Sequence, residues 1–108
     1  MPSDSATIVI AYRALPGQAD RAREELATLI DVVVREEPDC QGIHLHQDAA
    51  DPHRLLLIEY WASADAFTGP HMQTPHLRAF MERSRAFIAG PPEITFWREM
   101  SAALPAGR

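Results

Sequence analysis

Lysine is missing from this chain: all ten basic residues are arginines, set against fifteen carboxylates for a net charge of −5. With no arginine cluster to override it, that balance excludes a phosphate-binding face and, with it, nucleic acid as a partner. Cysteine occurs once, at Cys40, which rules out an internal disulfide and suits a reducing compartment. No run approaches the roughly 18 apolar residues that cross a bilayer. The opening MPSDSATIVIAY also lacks the basic start and apolar core of a secretion signal. The expectation is a cytoplasmic protein with no membrane contact. Repeats, low-complexity tracts, a glycine-rich dinucleotide loop and a closed set of metal ligands are absent too, so no flavin, metal or other cofactor is expected.

What is present is ordinary for one small domain. The 108 residues, 46% of them hydrophobic, can build one modest core but not two. Residues 1–5 read as a flexible polar leader, 6–100 as the domain and 101–108 as a loose tail. Residues 6–14 alternate as a strand, with Ile8, Ile10 and Tyr12 on one face and Thr7, Val9 and Ala11 on the other. After Pro16-Gly17 the period becomes helical over 18–37, where Ala19, Ala22, Leu26, Leu29, Ile30 and Val33 form a stripe. Pro38 ends that helix by disfavouring helical geometry before it. Strands over 41–47 and 54–61 flank a turn at 48–52 and should pair as a hairpin.

The densest chemistry lies between Leu55 and Phe80. A strand ending in Tyr60-Trp61 runs into a short helix, a Gly69-Pro70 break, and a second helix capped by Thr74 with Pro75 in its first position. Leu77, Phe80, Ser84, Phe87 and Ile88 mark that helix's buried stripe, and a strand over 93–100 follows Gly90-Pro91-Pro92. The order is β-α-β-β-α-β, an α+β ferredoxin-like arrangement with a four-stranded antiparallel sheet and helices on one face. The other face should be polar in a monomer. Instead, Leu55 to Ile58 are apolar on both sides of their strand, which implies a partner, most simply a second copy in a two-fold dimer. Leu55 and Leu57 are the expected interface residues. Glu59, a carboxylate in an apolar strand that needs a partner, is expected to bond across the dimer.

The residues Pro16-Gly17, Glu37-Pro38-Asp39-Cys40, Glu59-Tyr60-Trp61-Ala62-Ser63-Ala64-Asp65-Ala66-Phe67, His71 and Thr74-Pro75-His76 together resemble the antibiotic biosynthesis monooxygenase family. The resemblance covers roughly Ile8 to Trp97. The chain departs from the family at Asp39, where glycine is usual, and in placing Gly69-Pro70 before His71. The resemblance implies a dimeric α+β barrel and cofactor-free oxygenation of a hydroquinone, anthrone or similar phenol. Its alternatives are haem degradation, with His71 or His76 as axial ligand and Trp61 against the porphyrin, or an isomerase or small-ligand-binding role.

Such an oxygenase needs a base to ionise the substrate, donors for the oxyanion and an apolar cage. His76 and His71 are the candidate bases, with His76 preferred because it lies at a helix N-terminus. Trp61, Tyr60, Phe67 and Phe80 are the candidate substrate-binding residues, with Phe87 near them. Arg78, or the free N–H groups after Thr74, could hold an oxyanion. Trp61 and the aromatics of the last helix can equally be core. His44 and His46 share a strand face but have no third ligand at a useful spacing, and Cys40 reads as a small buried side chain.

Overall fold

The computed structural model describes residues 4–107. Its elements are β1 (Ala6–Arg13), α1 (Ala19–Glu36), β2 (Cys40–Gln47), β3 (Arg54–Trp61), α2 (Ala64–Thr68), a 3₁₀ turn (Pro70–Gln73), α3 (Pro75–Ser84) and β4 (Glu93–Trp97). The sheet order is β2-β3-β1-β4 with every neighbour antiparallel, the ferredoxin-like topology. Met1–Ser3 of the expected leader and Arg108 of the expected tail lie outside the described residues. Residues 98–107, on the other side of β4, have no regular structure apart from a terminal turn, so the last strand is shorter than the sequence suggests.

Local chemistry sets the breaks. In the β2–β3 hairpin, Asp48 Oδ1 accepts the Ala50 N–H at 2.8 Å and Asp51 Oδ1 accepts that of His53 at 3.0 Å. Such carboxylate-to-backbone bonds favour turns over a continued ladder. Ser63 Oγ accepts the Ala66 N–H and caps α2; Thr74 Oγ1 accepts the Leu77 N–H and caps α3, with Pro75 in the first turn. Between them Gly69 lets the chain fold tightly back on α2, since a Cβ there would lie 2.9 Å from the Asp65 carbonyl oxygen.

The alternation of β3 divides its residues cleanly. Leu55, Leu57, Glu59 and Trp61 are buried, while Leu56, Ile58 and Tyr60 are half-buried. The buried set joins Ile8 and Ile10 of β1 in a core with Leu26, Leu29 and Val33 of α1 and Leu77 and Phe80 of α3. Leu55, Leu57 and Glu59 therefore face the helices, not the open side expected of interface residues. The register places Leu56, Ile58 and Tyr60 on the open face, opposite Ala11, Val9 and Thr7. When both faces of a strand are apolar, alternation separates them without saying which is covered.

The helices stop short of β4. Ile94, Phe96 and Trp97 are exposed there, Trp97 by 60%. Among the described residues no helix is long and apolar enough to cross a membrane.

Candidate active site

The site begins where α1 ends. Pro38 forbids helical geometry at Glu37, whose backbone turns extended (φ −111°, ψ 104°) while its N–H still bonds the Val33 carbonyl. The Glu37 side chain is buried against the 3₁₀ turn and the start of α3. Both its oxygens lie 2.9 Å from His71 Nδ1, and Oε2 lies 2.6 Å from His76 Nε2. A carboxylate only accepts, so His71 carries its proton on Nδ1 and keeps Nε2 as the free lone pair.

Aromatic rings fix His71 from behind. Phe67 stacks on it at 5.1 Å between centroids, and Trp61 lies at 4.7 Å. The Trp61 indole N–H donates to Glu59 Oε1 at 2.9 Å. Burial pulls the His71 pKa below its ordinary value; the hydrogen bond and charge of Glu37 oppose that, and His76 adds to the lowering. Burial pushes Glu59 up to about 7, against the Trp61 hydrogen bond and with help from the Glu37 charge. A neutral imidazole oriented by a carboxylate is built to take a proton.

His71 lines an apolar cavity of about 90 Å³ between the helices and the β1–β4 half of the sheet. Ile10 and Ile94 form its floor, Phe67, Leu77 and Met81 its roof, and among the described residues Tyr12 and His71 are its titratable wall residues. Burial, and then the Glu59 charge, raise the Tyr12 pKa well above that of an ordinary phenol, so its hydroxyl stays a donor. A larger groove of about 580 Å³, at the end of the sheet beside Trp97 and Arg98, contains neither histidine. Chemistry, not volume, selects the smaller space.

Of the residues singled out in the sequence, Phe67 and His71 line this cavity. Trp61 backs His71 without reaching the wall, and His76 sits on the far side of Glu37. Phe80 is core, edge-on to Tyr12 and Phe87. Tyr60 lies on the open sheet face against His44, because neighbours on a strand point opposite ways. Arg78 is exposed and donates to Gln73 Oε1 at 2.8 Å. The N–H groups of Leu77 and Arg78 are taken by Thr74, the first by its hydroxyl and the second by its carbonyl. Arg78 and these two N–H groups are thus not placed to hold an oxyanion in the cavity.

Glu37 and Tyr12 are the residues that sequence reasoning missed. A buried-strand tyrosine and a glutamate fixed by a following proline were the available signals. His44 and His46 lie 6.3 Å apart on exposed positions of β2. Among the described residues no group of three His, Cys, Asp or Glu side chains could hold a metal ion.

The comparisons agree with this architecture. A Pseudomonas aeruginosa protein of solved structure is 28% identical and superposes with a TM-score of 0.81 over 94% of this chain and 99% of its own. A Bordetella bronchiseptica protein, assigned by name to the antibiotic biosynthesis monooxygenases, shares the fold at 17% identity and a TM-score of 0.80, covering 91% of this chain and 99% of its own. An uncharacterized Synechocystis protein is 29% identical over 79 residues, 70% of this chain; the chain spans only 53% of that relative. The family model for antibiotic biosynthesis monooxygenase matches residues 5–83. The chain belongs to that family.

Proposed function

We propose that the chain is a cofactor-independent monooxygenase that oxygenates a single-ring hydroquinone. The observation that carries this reading is His71, held by Glu37 with Nε2 free, on the wall of an apolar cavity. Substrate binds there with one hydroxyl on His71 and the other oxygen near Tyr12. His71 takes the phenolic proton, and the phenolate passes one electron to O₂. The resulting pair joins at a ring carbon as a peroxide, which His71 protonates. Loss of the ring C–H proton then breaks the O–O bond. The sum is hydroquinone + O₂ → hydroxyquinone + H₂O, with the substrate as the only reductant. Water-free apolar walls favour the step by keeping the peroxide from hydrolysis.

Cavity size narrows the substrate class. An apolar cavity of about 150 Å³ admits benzene, so about 90 Å³ takes one ring once Met72 and Met81 give way. Methionine side chains are suited to that. An anthrone is larger, and a porphyrin larger still, which turns the reading away from haem. In the same reading the open sheet face, with Leu56, Ile58 and Tyr60, is covered by a second copy of the chain.

An oxygen electrode with hydroquinone and its alkyl and methoxy derivatives tests the reading. Uptake of one O₂ per quinol, with no added flavin and with chelator present, is expected. Uptake no faster than the protein-free control would overturn it.

A further inference from the structure

One carboxylate serving two imidazoles is not what a simple base requires. Glu37 meets His71 with both oxygens at 2.9 Å, yet its shortest bond, 2.6 Å, goes to His76. The His71 side chain is 5% exposed and faces the inner cavity, whereas that of His76 is 18% exposed on α3. Glu37 itself also borders a separate cavity of about 230 Å³ on the outer side, with Trp61 and Thr74. The trio thus runs from the apolar pocket to the outer cavity.

We propose that His76 is a positioning residue, not a catalytic one: it controls how much of the Glu37 carboxylate is left to hold His71. The inference rests on His71 being the pocket base, as argued above. A carboxylate that gives its charge to His76 gives less to a His71 imidazolium. When His76 is neutral, the full charge supports proton uptake by His71. The solvent-facing imidazole thereby sets the readiness of the buried one.

The surroundings leave few competing controls. The groups facing this cluster are Glu37 at the end of α1, Glu36 and Asp39, which border the outer cavity with it, His76 on α3, Tyr12 on β1, and Glu59 on β3 one ring away behind Trp61. Cys40, at the start of β2, is near enough to Glu37 to feel its charge. The His71 shift has Glu37 and His76 as its charged contributors, acting in opposite directions.

The test needs no substrate. Side-chain NMR of the imidazoles is followed over about pH 5–9, where histidines titrate, in wild type, His76→Phe, His76→Gln and Glu37→Gln. Removing the His76 charge should raise the His71 pKa by about one unit, and Glu37→Gln should lower it by at least as much. His76→Gln keeps an N–H donor for the carboxylate without a charge and should give a smaller rise. If His76→Phe does not fold, His76→Gln carries the test. A His71 titration unchanged or lowered in the His76 variants would overturn the proposal. Because the readout is a titration, it stands apart from the oxygen-uptake result that decides the function.

Discussion

Glu59 and Trp61, two positions apart on β3, are joined on the covered face of the sheet by an indole N–H donating to the carboxylate at 2.9 Å. Among the described residues it is the one hydrogen bond to a carboxylate that is only 3% exposed. One donor offsets only part of the cost of burying a charge, which is why burial wins and the pKa rises to about 7. The bond also locks the indole that backs His71. A group expected at a dimer interface instead braces the candidate site from within one chain.

Stability should carry the mark of Glu59. Its folded pKa of about 7 is raised above that of the unfolded chain, so the folded state binds more protons in between. The contribution is complete below the unfolded value and lost as pH rises through the folded one. His71, with a lowered pKa, acts in the opposite sense, so the measurement has to be a difference. Relative to wild type, Glu59→Gln should gain about 2 kcal/mol between pH 5.5 and 8.5. Urea unfolding at the two pH values reads this directly. A constant offset between the two proteins would mean that Glu59 is ionised throughout.

Gly69 should tolerate no side chain. Its φ of −99° lies outside the left-handed region, and the constraint is contact. An added Cβ would lie 2.9 Å from the Asp65 carbonyl oxygen, part of the backbone that Gly69 bonds through its own N–H at 2.8 Å. Gly69→Ala should cost about 1–3 kcal/mol and displace His71, two residues on. A melting temperature within error of wild type would show that the turn relaxes freely.

The open sheet face gives a paired test. Ile58 lies on that face, between Val9 and His44, whereas its neighbour Leu57 is in the core. Ile58→Glu should therefore fold and yet scatter light as a monomer, while Leu57→Glu should fail to fold because it buries an unpaired charge. A wild-type protein that is monomeric at micromolar concentration would remove the second copy from the account.

The fold was legible because its signals are local. Alternation marked β1 and β3, the i+3/i+4 stripe marked α1, and Thr74-Pro75 marked the start of α3. The site was legible only in part. His71 and Phe67 are close in sequence and meet across one turn, so the density of aromatic and titratable residues pointed to them. Glu37 lies 34 residues from His71, and only the packing of the α1 terminus on the 3₁₀ turn brings them together. Tyr12 is four residues from Ile8, on a strand read for its core face alone. Tyr60 and Trp61 could not both line one pocket, and the strand period already says so. Which of the two turns toward the site was decided by the helices, which the period does not locate.

The roles of the two histidines should separate kinetically. His71 lines the cavity with its Nδ1 engaged with Glu37, while His76 has its Nε2 committed to that same carboxylate. If quinol oxygenation is the reaction, His71→Ala removes the base and should lower kcat by about 10²–10⁴. His76→Ala leaves the base in place and should change kcat by about tenfold or less, moving mainly the acid limb of the pH–rate profile. Glu37→Gln lies between them, because the amide can still bond His71 but can present an N–H to Nδ1 and favour the wrong tautomer. As the variant's His71 pKa is expected to fall, its imidazole stays unprotonated to lower pH, so the acid limb should shift downward while the plateau drops, and the loss relative to wild type should be smaller at low pH. A plateau that drops equally for His71→Ala and His76→Ala would mean that both imidazoles act on the substrate, and that the carboxylate between them is a bridge and not a holder.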